Sequence, residues 1–448
     1  MERTLAFEII EMIGKKVRLC GWVDRRRDHG KLVFIDLRDR SGIIQIVGGG
    51  ELGKLQPQDA VEIIGKVQKR PKEMINKDLV TGEVEVKIEE IKILSKADTL
   101  PFDMGKDWLE LELPTLFDHR ALTIRHKTIK AIFEVGEVVV DVFRKSLNEI
   151  GFTEYESPII VPATAEGGAE VFQVKYFDHK TYLGQSPQLY KQMMLGVFER
   201  VFTVTHAFRA EPSVTTRHLT EYTSLDAEMA FIDSWEDLME TAEYVVKEIL
   251  AAVKKQCQEQ LKLYQATVPL VSKKIPRLKF QEAQEIIFKR TKRDHRREPD
   301  LGPNDEEEIC RWAKEEKGSE FVFITHYPVK KRPFYAYPDP KNPDLTLSFD
   351  LLGRGLEWIT GGQRIHEYEK LVENIKKWGN DPKDFALYLE AFKYGMPPEG
   401  GFAIGAERVT MKILGLKNIR EATPFPRDME RVDIRLSTIQ EAKKRNKK

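Results

Sequence analysis

Cationic and hydrogen-bonding side chains are concentrated in one short stretch, "FRAEPSVTTRHL" (208–219). It lies between two runs, "ERVFTVTHAF" and "TEYTSLDAEMAFI", whose β-branched and aromatic residues predict strands. The side chains that could do chemistry here are Arg209, Glu211, Arg217, His218 and, in the second run, Tyr222. An arginine fork held at a strand end suits a phosphate, a glutamate can accept a hydrogen bond from an amino group, and a tyrosine can stack on a base. The pattern therefore predicts a hairpin that is either a charged, solvated turn or a nucleotide-binding site.

A second candidate lies near the C-terminus, in "GGFAIGAERVTMKILG" (400–415). Its small residues predict a strand that a ligand or another backbone can approach closely, followed by a helix that begins near Glu407. Arg408 stands at this junction and is a second candidate for binding nucleotide phosphates. Tight packing of the strand against the helix explains the glycines equally well.

The composition limits what kind of protein must position these residues. The chain has 448 residues, enough for two or three domains, and its 72 basic and 72 acidic residues cancel, so only local clusters can argue for a nucleic-acid partner. Three widely spaced cysteines form neither a disulfide framework nor a zinc site. Charges interrupt every apolar run well before a membrane-spanning length, and the N-terminus is unlike a signal peptide. These features predict a soluble cytoplasmic protein with no membrane partner.

The patterning divides the chain into segments. Residues 1–95 contain short alternating strands separated by turns, which predict a small β-barrel or sandwich. Residues 96–120 are predicted as a linker or hinge, 121–435 as a larger mixed domain that opens with a helix over 121–150, and 436–448 as a basic tail. The stretch "GGGELG" (48–53) matches a dinucleotide-binding pattern, but strand character returns too soon for a crossover helix, so we interpret it as a barrel loop.

Taken together, the motifs resemble those of the class II aminoacyl-tRNA synthetases. "FRAE…RHLTEYTSLDAEM" resembles motif 2 of that family, "GFAIGAERV" resembles motif 3, and "FRKSLNEIGFTEYESPII" resembles motif 1, which builds the family's dimer interface. "GWVDRRRDHGKLVFIDLRDRSGIIQIV" resembles the anticodon-binding OB-fold of the aspartyl, asparaginyl and lysyl branch. The resemblance implies an α+β protein, with an N-terminal OB-fold β-barrel joined to a class II catalytic domain whose antiparallel sheet is flanked by helices. It also implies a homodimer.

Two stretches resemble the aspartyl members in particular. They are "GQSPQLYKQMM" (184–194) and "GLEWITGGQRIHEY" (355–368). The resemblance places Lys191 and Arg364 beside the β-carboxylate of an L-aspartate substrate, where a neutral amide would leave both cations short of partners, a rejection of as much as ~10⁴-fold. It also assigns contacts with the substrate's ammonium and carboxylate groups to Glu166, Gln188 and Asp226. The alternative for Lys191 is an ordinary surface lysine on a helix.

The resemblance further implies ATP and Mg²⁺. Glu357 matches the carboxylate that holds Mg²⁺ on the ATP phosphates, and Thr360 stands where relatives often have a serine as a second metal contact. In the implied reaction, the aspartate α-carboxylate attacks the α-phosphate of ATP, with Arg209 and Arg408 stabilising charge on the phosphates. The ribose 3′-OH of tRNA(Asp) then takes the aspartyl group from the adenylate. The catalytic residues implied are thus Arg209, Arg408 and Glu357.

For the tRNA anticodon, the resemblance singles out Phe34 and Gln45, on adjacent predicted strands of the barrel. Stacking and edge hydrogen bonds are how OB-folds read unpaired bases, although Phe34 could instead belong to the barrel core. The neighbouring run of Arg25, Arg26 and Arg27 is either a phosphate-binding patch or a solvated face. His29 stands where enzymes that also charge tRNA(Asn) often have histidine, which makes such relaxed specificity a hypothesis.

Three other functions are compatible with parts of the sequence. An asparaginyl-tRNA synthetase is the nearest alternative, and a non-catalytic tRNA-binding paralogue is a second, although such proteins usually lose motif arginines or metal carboxylates that are present here. An ATP-dependent amidating enzyme on the same catalytic core would lack the N-terminal barrel. Only some 120 residues separate Glu228 from Asp350, so the chain resembles the compact archaeal and eukaryal type, without the bacterial insertion domain.

Overall fold

A computed structural model describes residues 1–162, 170–212, 214–433 and 435–437. The chain divides into two compact units, Met1–Leu111 and Glu112–Lys448. The division falls inside the segment 96–120 that the sequence predicts as a linker. Each unit is described by itself below.

The first unit is a closed five-stranded barrel with strand order β1-β2-β3-β5-β4. Its strands are β1 (Lys16–His29), β2 (Leu32–Arg38), β3 (Ile43–Gly48), β4 (Ala60–Lys69) and β5 (Val84–Ser95). Alternate residues along each strand fill the interior; on β2 they are Val33, Ile35 and Leu37. Short 3₁₀ turns cover Ala6–Glu11, Leu52–Lys54 and Lys72–Met74. The barrel confirms the interpretation of "GGGELG", since β3 is followed by a single 3₁₀ turn and then β4, with no crossover helix.

The second unit is built on an eight-stranded sheet with the order β12-β13-β16-β17-β18-β11-β10-β6. Six central strands run antiparallel, and only the outermost pairs, β12 with β13 and β6 with β10, are parallel. The strands are β6 (Thr153–Glu154), β10 (Arg200–Phe208), β11 (Glu221–Ala230), β12 (Arg277–Lys279), β13 (Phe321–Thr325), β16 (Ser348–Gly353), β17 (Leu356–Gln363) and β18 (Glu399–Gly405). The two predicted strands around residues 208–219 are therefore β10 and β11, paired from Arg200–Met229 to Phe208–Glu221.

Helices flank this sheet. They are α1 (Leu113–Asp118), α2 (Arg120–Thr123), α3 (Lys127–Glu149), α4 (Gln188–Phe198), α5 (Glu236–Gln256), α6 (Gln258–Leu263), α7 (Phe280–Thr291), α8 (Pro303–Lys317), α9 (Tyr368–Lys377), α10 (Ala386–Lys393) and α11 (Ala406–Leu414), with 3₁₀ turns at Val329–Lys331, Pro382–Phe385 and Ile419–Ala422. The long helix predicted for 121–150 begins at Lys127. It ends before Gly151, whose φ of 84° suits glycine after a helix C-terminus.

Two small sheets complete the second unit. One pairs β14 (Pro338–Asp339) with β15 (Asn342–Thr346), and the other has the order β7-β9-β8, formed by Ile160–Val161, His179–Leu183 and Gln173–Tyr176. Among the described residues, no helix has both the length and the apolar character needed to cross a bilayer. The architecture confirms the predicted α+β class, a β-barrel followed by an antiparallel sheet with flanking helices.

Candidate active site and nucleic-acid interface

One face of the large sheet carries the polar residues of β11. Tyr222, Ser224, Asp226 and Glu228 alternate along this strand, so their side chains point to the same face. The neighbouring strand β18 presents only small residues in register with them, since Gly405 pairs with Ser224, Ala403 with Asp226 and Gly401 with Glu228. A side chain at Gly401 would collide with the carboxylate of Glu228. Because β18 has only small side chains here, this face of the sheet leaves space for a ligand beside the polar residues of β11.

A cleft that is partly open to solvent lies at the Tyr222 end of this face. It is lined by the predicted nucleotide-binding residues of both motifs, together with the predicted metal ligands: Arg209, Glu211, Arg217, His218, Tyr222, Glu357, Thr360 and Arg408. The two arginines predicted to bind phosphates, 199 positions apart in the chain, thus share one cleft.

The hairpin residues contact one another inside the cleft. The guanidinium of Arg209 lies over the ring of Tyr222 at 5.7 Å and within 4.0 Å of the Glu211 carboxylate. His218 Nδ1 is 2.8 Å from the Thr215 hydroxyl and 3.8 Å from Glu211. Burial lowers the pKa of His218, and the neighbouring Arg408, Arg217 and Arg209 lower it further. His218 is therefore neutral near pH 7, and the positive charge of the cleft comes from its arginines.

Each of the other two arginines pairs with a carboxylate. Arg408 Nη1 donates to the backbone oxygen of Glu357 at 3.1 Å and to its Oε1 at 3.2 Å. Arg217 pairs with Glu306, which belongs to the first turn of α8. Burial raises the pKa of Glu306 to about 7, although Arg217 opposes the shift. The cleft thus alternates cations and anions, an arrangement that can hold a triphosphate with its counter-ion.

A second carboxylate lies beside Glu357. Asp350 on β16 pairs in register with Thr360 on β17, and Arg332 donates to both, at 2.8 Å to Asp350 Oδ2 and 2.9 Å to Thr360 Oγ1. Burial raises the pKa of Asp350, and the nearby negative charge of Glu357 raises it further, while Arg332 lowers it. A cation between the two carboxylates would relieve this repulsion.

The donor set there fits Mg²⁺. Asp350 Oδ1 is buried and accepts no hydrogen bond from the described part of the chain, so it is a hard oxygen open to a metal. The same described residues contain no group of three or more histidine, cysteine, aspartate or glutamate side chains arranged for a metal. Asp350, Glu357 and Thr360 could therefore hold Mg²⁺ only with further oxygens from a substrate phosphate, which is how this ion is commonly bound.

Farther along the same face, two cations are buried against two carboxylates. Lys191, 1% exposed, extends from α4 and places its Nζ 2.9 Å from Asp226 Oδ2 and 3.0 Å from Glu228 Oε2. Arg364, which follows β17, donates from Nε to Glu228 Oε1 at 2.9 Å and from Nη2 to the Gly401 oxygen at 3.2 Å. Burial disfavours charge on Lys191, yet Asp226 and Glu228 raise its pKa, so it stays protonated. Lys191 is not the surface lysine of the alternative interpretation.

Polar side chains on α4 and α10 support this group. Gln188 donates to Gln192 at 3.0 Å and to Glu228 at 3.3 Å, and Gln192 donates to Glu399 Oε1 at 2.6 Å. Tyr388 donates to Gln192 at 2.9 Å. Burial, together with nearby Glu228, raises the pKa of Glu399 well above its usual range. Gln188 and Gln192 thus link Glu228 to Glu399 by hydrogen bonds.

The outer face of the barrel carries the predicted anticodon residues. Phe34 does not belong to the barrel core, which takes its neighbours Val33 and Ile35 instead. Its ring packs edge-on against His29 at 5.7 Å between centroids, and it pairs in register with Arg27 on β1 and Val47 on β3. Phe34 is nevertheless only 8% exposed, so the alternative interpretation of Phe34 as a buried packing residue stays open beside the predicted anticodon role.

Gln45 lies on the same outer face, one pairing step from Phe34. Its register partner is Asp36, and its amide donates to Glu85 at 2.8 Å while its oxygen accepts from Arg27 at 3.2 Å. Arg27 also forms a two-point pair with Asp36 at 2.7 and 2.8 Å. Phe34 and Gln45 thus lie on one face of the barrel, both largely buried at 8% and 6% exposure, and His29 packs against Phe34.

The three consecutive arginines do not form a free cationic patch. Arg25 pairs with Asp107 at 2.9 Å, Arg26 donates to the oxygens of Gly53 and Leu55 at 2.6 and 2.7 Å, and Arg27 pairs with Asp36. Arg26 and Arg27 thus contact the barrel itself, and Arg25 contacts Asp107 in the segment that follows it. Arg25 alone has an exposed partner.

Comparison with known families decides what this combination of units is. The family of class II tRNA synthetases (D, K and N) matches residues 112–429, and the family of OB-fold nucleic acid binding domains (tRNA anticodon) matches residues 17–94. The chain is a class II tRNA synthetase. The match to the synthetase family begins at residue 112, directly after the first compact unit ends at Leu111. The match to the OB-fold family ends at residue 94, one residue before the end of β5.

Individual relatives span the whole of this synthetase. An aspartate–tRNA(Asp/Asn) ligase of Deinococcus radiodurans is 42% identical over 438 residues, with 96% of this chain and 99% of the relative covered. An aspartate–tRNA(Asp) ligase of Pyrococcus abyssi is 38% identical, with 94% and 97% covered. Among solved structures, the asparaginyl-tRNA synthetase of Pyrococcus horikoshii bound to asparaginyl-adenylate superposes with a TM-score of 0.86 at 31% identity, covering 96% and 99% of the two chains.

The structure brings most predicted site residues of the synthetase together and adds others. Glu166 lies outside the described residues. Sequence reasoning missed Glu228, Asp350, Glu306 and Glu399 as site residues. A signal existed for Glu228, because it follows Tyr222 and Asp226 in the even positions of a strand and so shares their face. Asp350 could be predicted as a site residue only from the register of the hairpin, which pairs it with Thr360 across the turn at residues 354–355.

Proposed function

We propose that this synthetase ligates L-aspartate to tRNA(Asp) through an aspartyl-adenylate made from ATP. The observation that carries the proposal is the pair of buried cations, Lys191 and Arg364, on the same sheet face as the arginine-lined cleft. An amino acid seated on this face would have its side chain at the two cations and its α-carboxylate toward the cleft.

The hydrogen-bonding capacity of the two cations favours aspartate over asparagine. Lys191 has three N–H donors; it donates one to Asp226 and lies in ion-pair range of Glu228 at 3.0 Å. Arg364 has five N–H donors and uses two, on Glu228 and Gly401, within the described residues. The groups left over are donors. A β-carboxylate only accepts and can meet them, whereas the amide nitrogen of asparagine is itself a donor and would face them unpaired.

The chemistry needs no side-chain nucleophile. The aspartate α-carboxylate attacks the α-phosphate of ATP, a bond forms between them, and pyrophosphate leaves. Arg209 stabilises negative charge at the α-phosphate, and Arg408 and Arg217 hold the pyrophosphate end. We expect the purine to stack on Tyr222 and to donate a hydrogen bond from its amino group to Glu211. Mg²⁺, held by Glu357, Asp350 and Thr360, would neutralise phosphate charge when bound.

The second half-reaction involves the tRNA. Its terminal ribose 3′-OH attacks the aspartyl carbonyl and releases AMP, which leaves an aspartyl ester. Phe34 and Gln45 on the barrel offer a stacking ring and a hydrogen-bonding edge for unpaired anticodon bases. We expect substitution of either residue to weaken tRNA binding without changing adenylate formation.

The direct test is charging of purified tRNA(Asp) with radiolabelled aspartate or asparagine. Aspartate should be esterified to the tRNA and asparagine should not, and Lys191→Met should abolish charging with aspartate. Charging with asparagine alone would show that the protein is the asparaginyl enzyme. No charging at all, with ATP and tRNA both bound, would favour the non-catalytic paralogue.

The barrel supports a second proposal, that tRNA(Asn) is charged as well. His29 packs on Phe34 and so forms part of the predicted anticodon surface, and the Deinococcus relative is named for both tRNAs. Purified tRNA(Asn) should then accept aspartate. Failure to transfer aspartate to tRNA(Asn), under conditions that charge tRNA(Asp), would refute relaxed specificity while leaving the main proposal intact.

We also propose a cytoplasmic homodimer. Support for the dimer is the resemblance of α3 and the segment after it to motif 1, and support for the compartment is that Cys20, Cys257 and Cys310 are all unpaired. Light scattering should give twice the chain mass of 51.8 kDa. A mass equal to one chain would contradict the dimer.

A further inference from the structure

The β8–β9 hairpin is an exposed element that the proposed reaction does not use. Its strands, Gln173–Tyr176 and His179–Leu183, belong to the small three-stranded sheet of the second unit. At its tip, Phe177 is 76% exposed and has a φ of 52°, a left-handed conformation that phenylalanine rarely adopts. Tyr176, 47% exposed, packs edge-on against it at 4.9 Å. Two aromatic rings are thus held outward at a tip where burial gives no reason for them.

Just behind the tip, two lysines face each other across the strand pair. Lys175 and Lys180 are register partners, so their side chains lie side by side on one face. Lys180 Nζ lies over the ring of Tyr182 at 5.7 Å, and neither lysine forms an ion pair with an acid in the described ranges. Like charges directly opposite each other destabilise a hairpin, so this arrangement calls for an external anion. Aromatic rings beside positive charge that has no acidic partner are features that bind single-stranded nucleic acid.

The base of the hairpin is attached to the catalytic arginine loop. Phe208 donates its N–H to the Gly184 oxygen at 3.0 Å, and Ala210 donates to the Glu170 oxygen at 3.0 Å. These two bonds flank Arg209, the residue assigned to the α-phosphate. The strand from Gly184 to the tip spans roughly 20 Å at about 3.3 Å per residue. The hairpin is therefore an arm of that length whose base is hydrogen-bonded to the residues on either side of Arg209.

We propose that this arm binds the unpaired 3′ end of the tRNA substrate, stacking its bases on Tyr176 and Phe177 and pairing its phosphates with Lys175 and Lys180. The inference rests on the proposed function, because the terminal ribose must reach the adenylate and the unpaired strand leading to it is anionic. A second copy of the chain is the other occupant that exposed aromatic rings could serve, and the experiment separates the two.

The test compares a hairpin variant, Tyr176→Ala/Phe177→Ala, with a matched control, Phe231→Ala. Phe231 is also an exposed aromatic residue at positive φ in the same unit, 67% exposed with a φ of 54°. Binding of the full chain to intact tRNA(Asp), and to tRNA(Asp) lacking its unpaired 3′ nucleotides, is measured by filter binding. Aspartate-dependent ATP–pyrophosphate exchange is measured in parallel.

We expect the hairpin variant, which lacks both stacking rings, to bind intact tRNA at least about thirtyfold more weakly, and to bind the shortened tRNA as the unsubstituted protein does. Exchange activity and melting temperature should be unchanged, and Phe231→Ala should behave like the unsubstituted protein. In Lys175→Gln/Lys180→Gln, the slope of log affinity against log salt should become shallower by about 1.4, the value for two contacts to a single strand.

Unchanged binding of intact tRNA by the hairpin variant would overturn the inference. An equal loss with the shortened tRNA would also overturn it, because the contact would then be with another part of the tRNA. Dissociation of an oligomer in the hairpin variant would assign the tip to a subunit contact instead. A protein that binds tRNA through the hairpin but lacks exchange activity would refute the proposed function and not this inference.

Discussion

Replacement of Glu228 by glutamine tests whether the catalytic unit is built around a buried carboxylate shared by two cations. Glu228 is 0% exposed, accepts from Arg364 at 2.9 Å and lies 3.0 Å from Lys191 Nζ. Although burial opposes its ionisation, Arg364 and Lys191 hold the pKa of Glu228 below the usual value, so it is charged at pH 7. Glutamine keeps the size and one acceptor but removes the charge. Asp226 would then be the one anion left to balance two buried cations.

The expected loss of stability is large. Removing one partner of a buried ion pair costs about 3–5 kcal/mol, since the remaining charge stays desolvated without compensation. At about 2 °C per kcal/mol for a large domain, this corresponds to a fall in melting temperature of roughly 6–10 °C. Thermal unfolding followed by circular dichroism measures it.

The matched control is Glu373→Gln. Its carboxylate also pairs with a lysine, Lys377, at 2.8 Å, but both side chains are exposed, so we expect no measurable change. A melting temperature for Glu228→Gln within 2 °C of the unsubstituted protein, with Lys191 still in place, would refute the view that Glu228 neutralises the two cations.

Three further substitutions test other parts of the account. Arg209→Ala should lower the kcat of ATP–pyrophosphate exchange by about 10²–10³-fold with little change in melting temperature, and an effect on melting temperature alone would contradict its role. Burial raises the pKa of Glu407 to about 7, so the folded protein binds a proton that the unfolded chain releases above about pH 4.5. The free energy of unfolding that this proton contributes is lost as the pH rises through 7. Glu407→Gln should therefore become more stable relative to the unsubstituted protein between pH 5 and pH 8, as measured by urea unfolding. A difference in unfolding free energy that does not change with pH would contradict the raised pKa of Glu407. Phe34→Ala should raise the KM for tRNA(Asp) about tenfold and leave exchange unchanged, and equal KM values would place the anticodon elsewhere.

The residues that line the cleft could be predicted from motifs because they stand at fixed offsets within short segments. Arg209 ends β10 and Arg408 opens α11, and both positions follow from local patterns of strand, turn and helix. What no local pattern gives is the strand order that places β18 beside β11. That order depends on non-local pairing, and it is what brings the two arginines into one cleft.

The missed residues share a physical reason. Glu306 meets Arg217 across 89 positions, and Glu228 meets Arg364 across 136, so neither contact is visible in the spacing of either residue. Phe34 shows the opposite difficulty. Its neighbours Val33 and Ile35 are also apolar, so alternation along β2 cannot tell the inner face from the outer one. The register with β3 puts Phe34 and Gln45 on one face of the sheet, and the packing of Val33 and Ile35 into the interior shows that this is the opposite face.

The central claim is that the buried pair of Lys191 and Arg364 selects an acidic amino acid for activation in the adjoining cleft. Its most direct test is ATP–pyrophosphate exchange with each of the twenty amino acids in turn, without tRNA. Exchange should depend on aspartate and remain at background with asparagine. Exchange supported by asparagine and not by aspartate would contradict the claim.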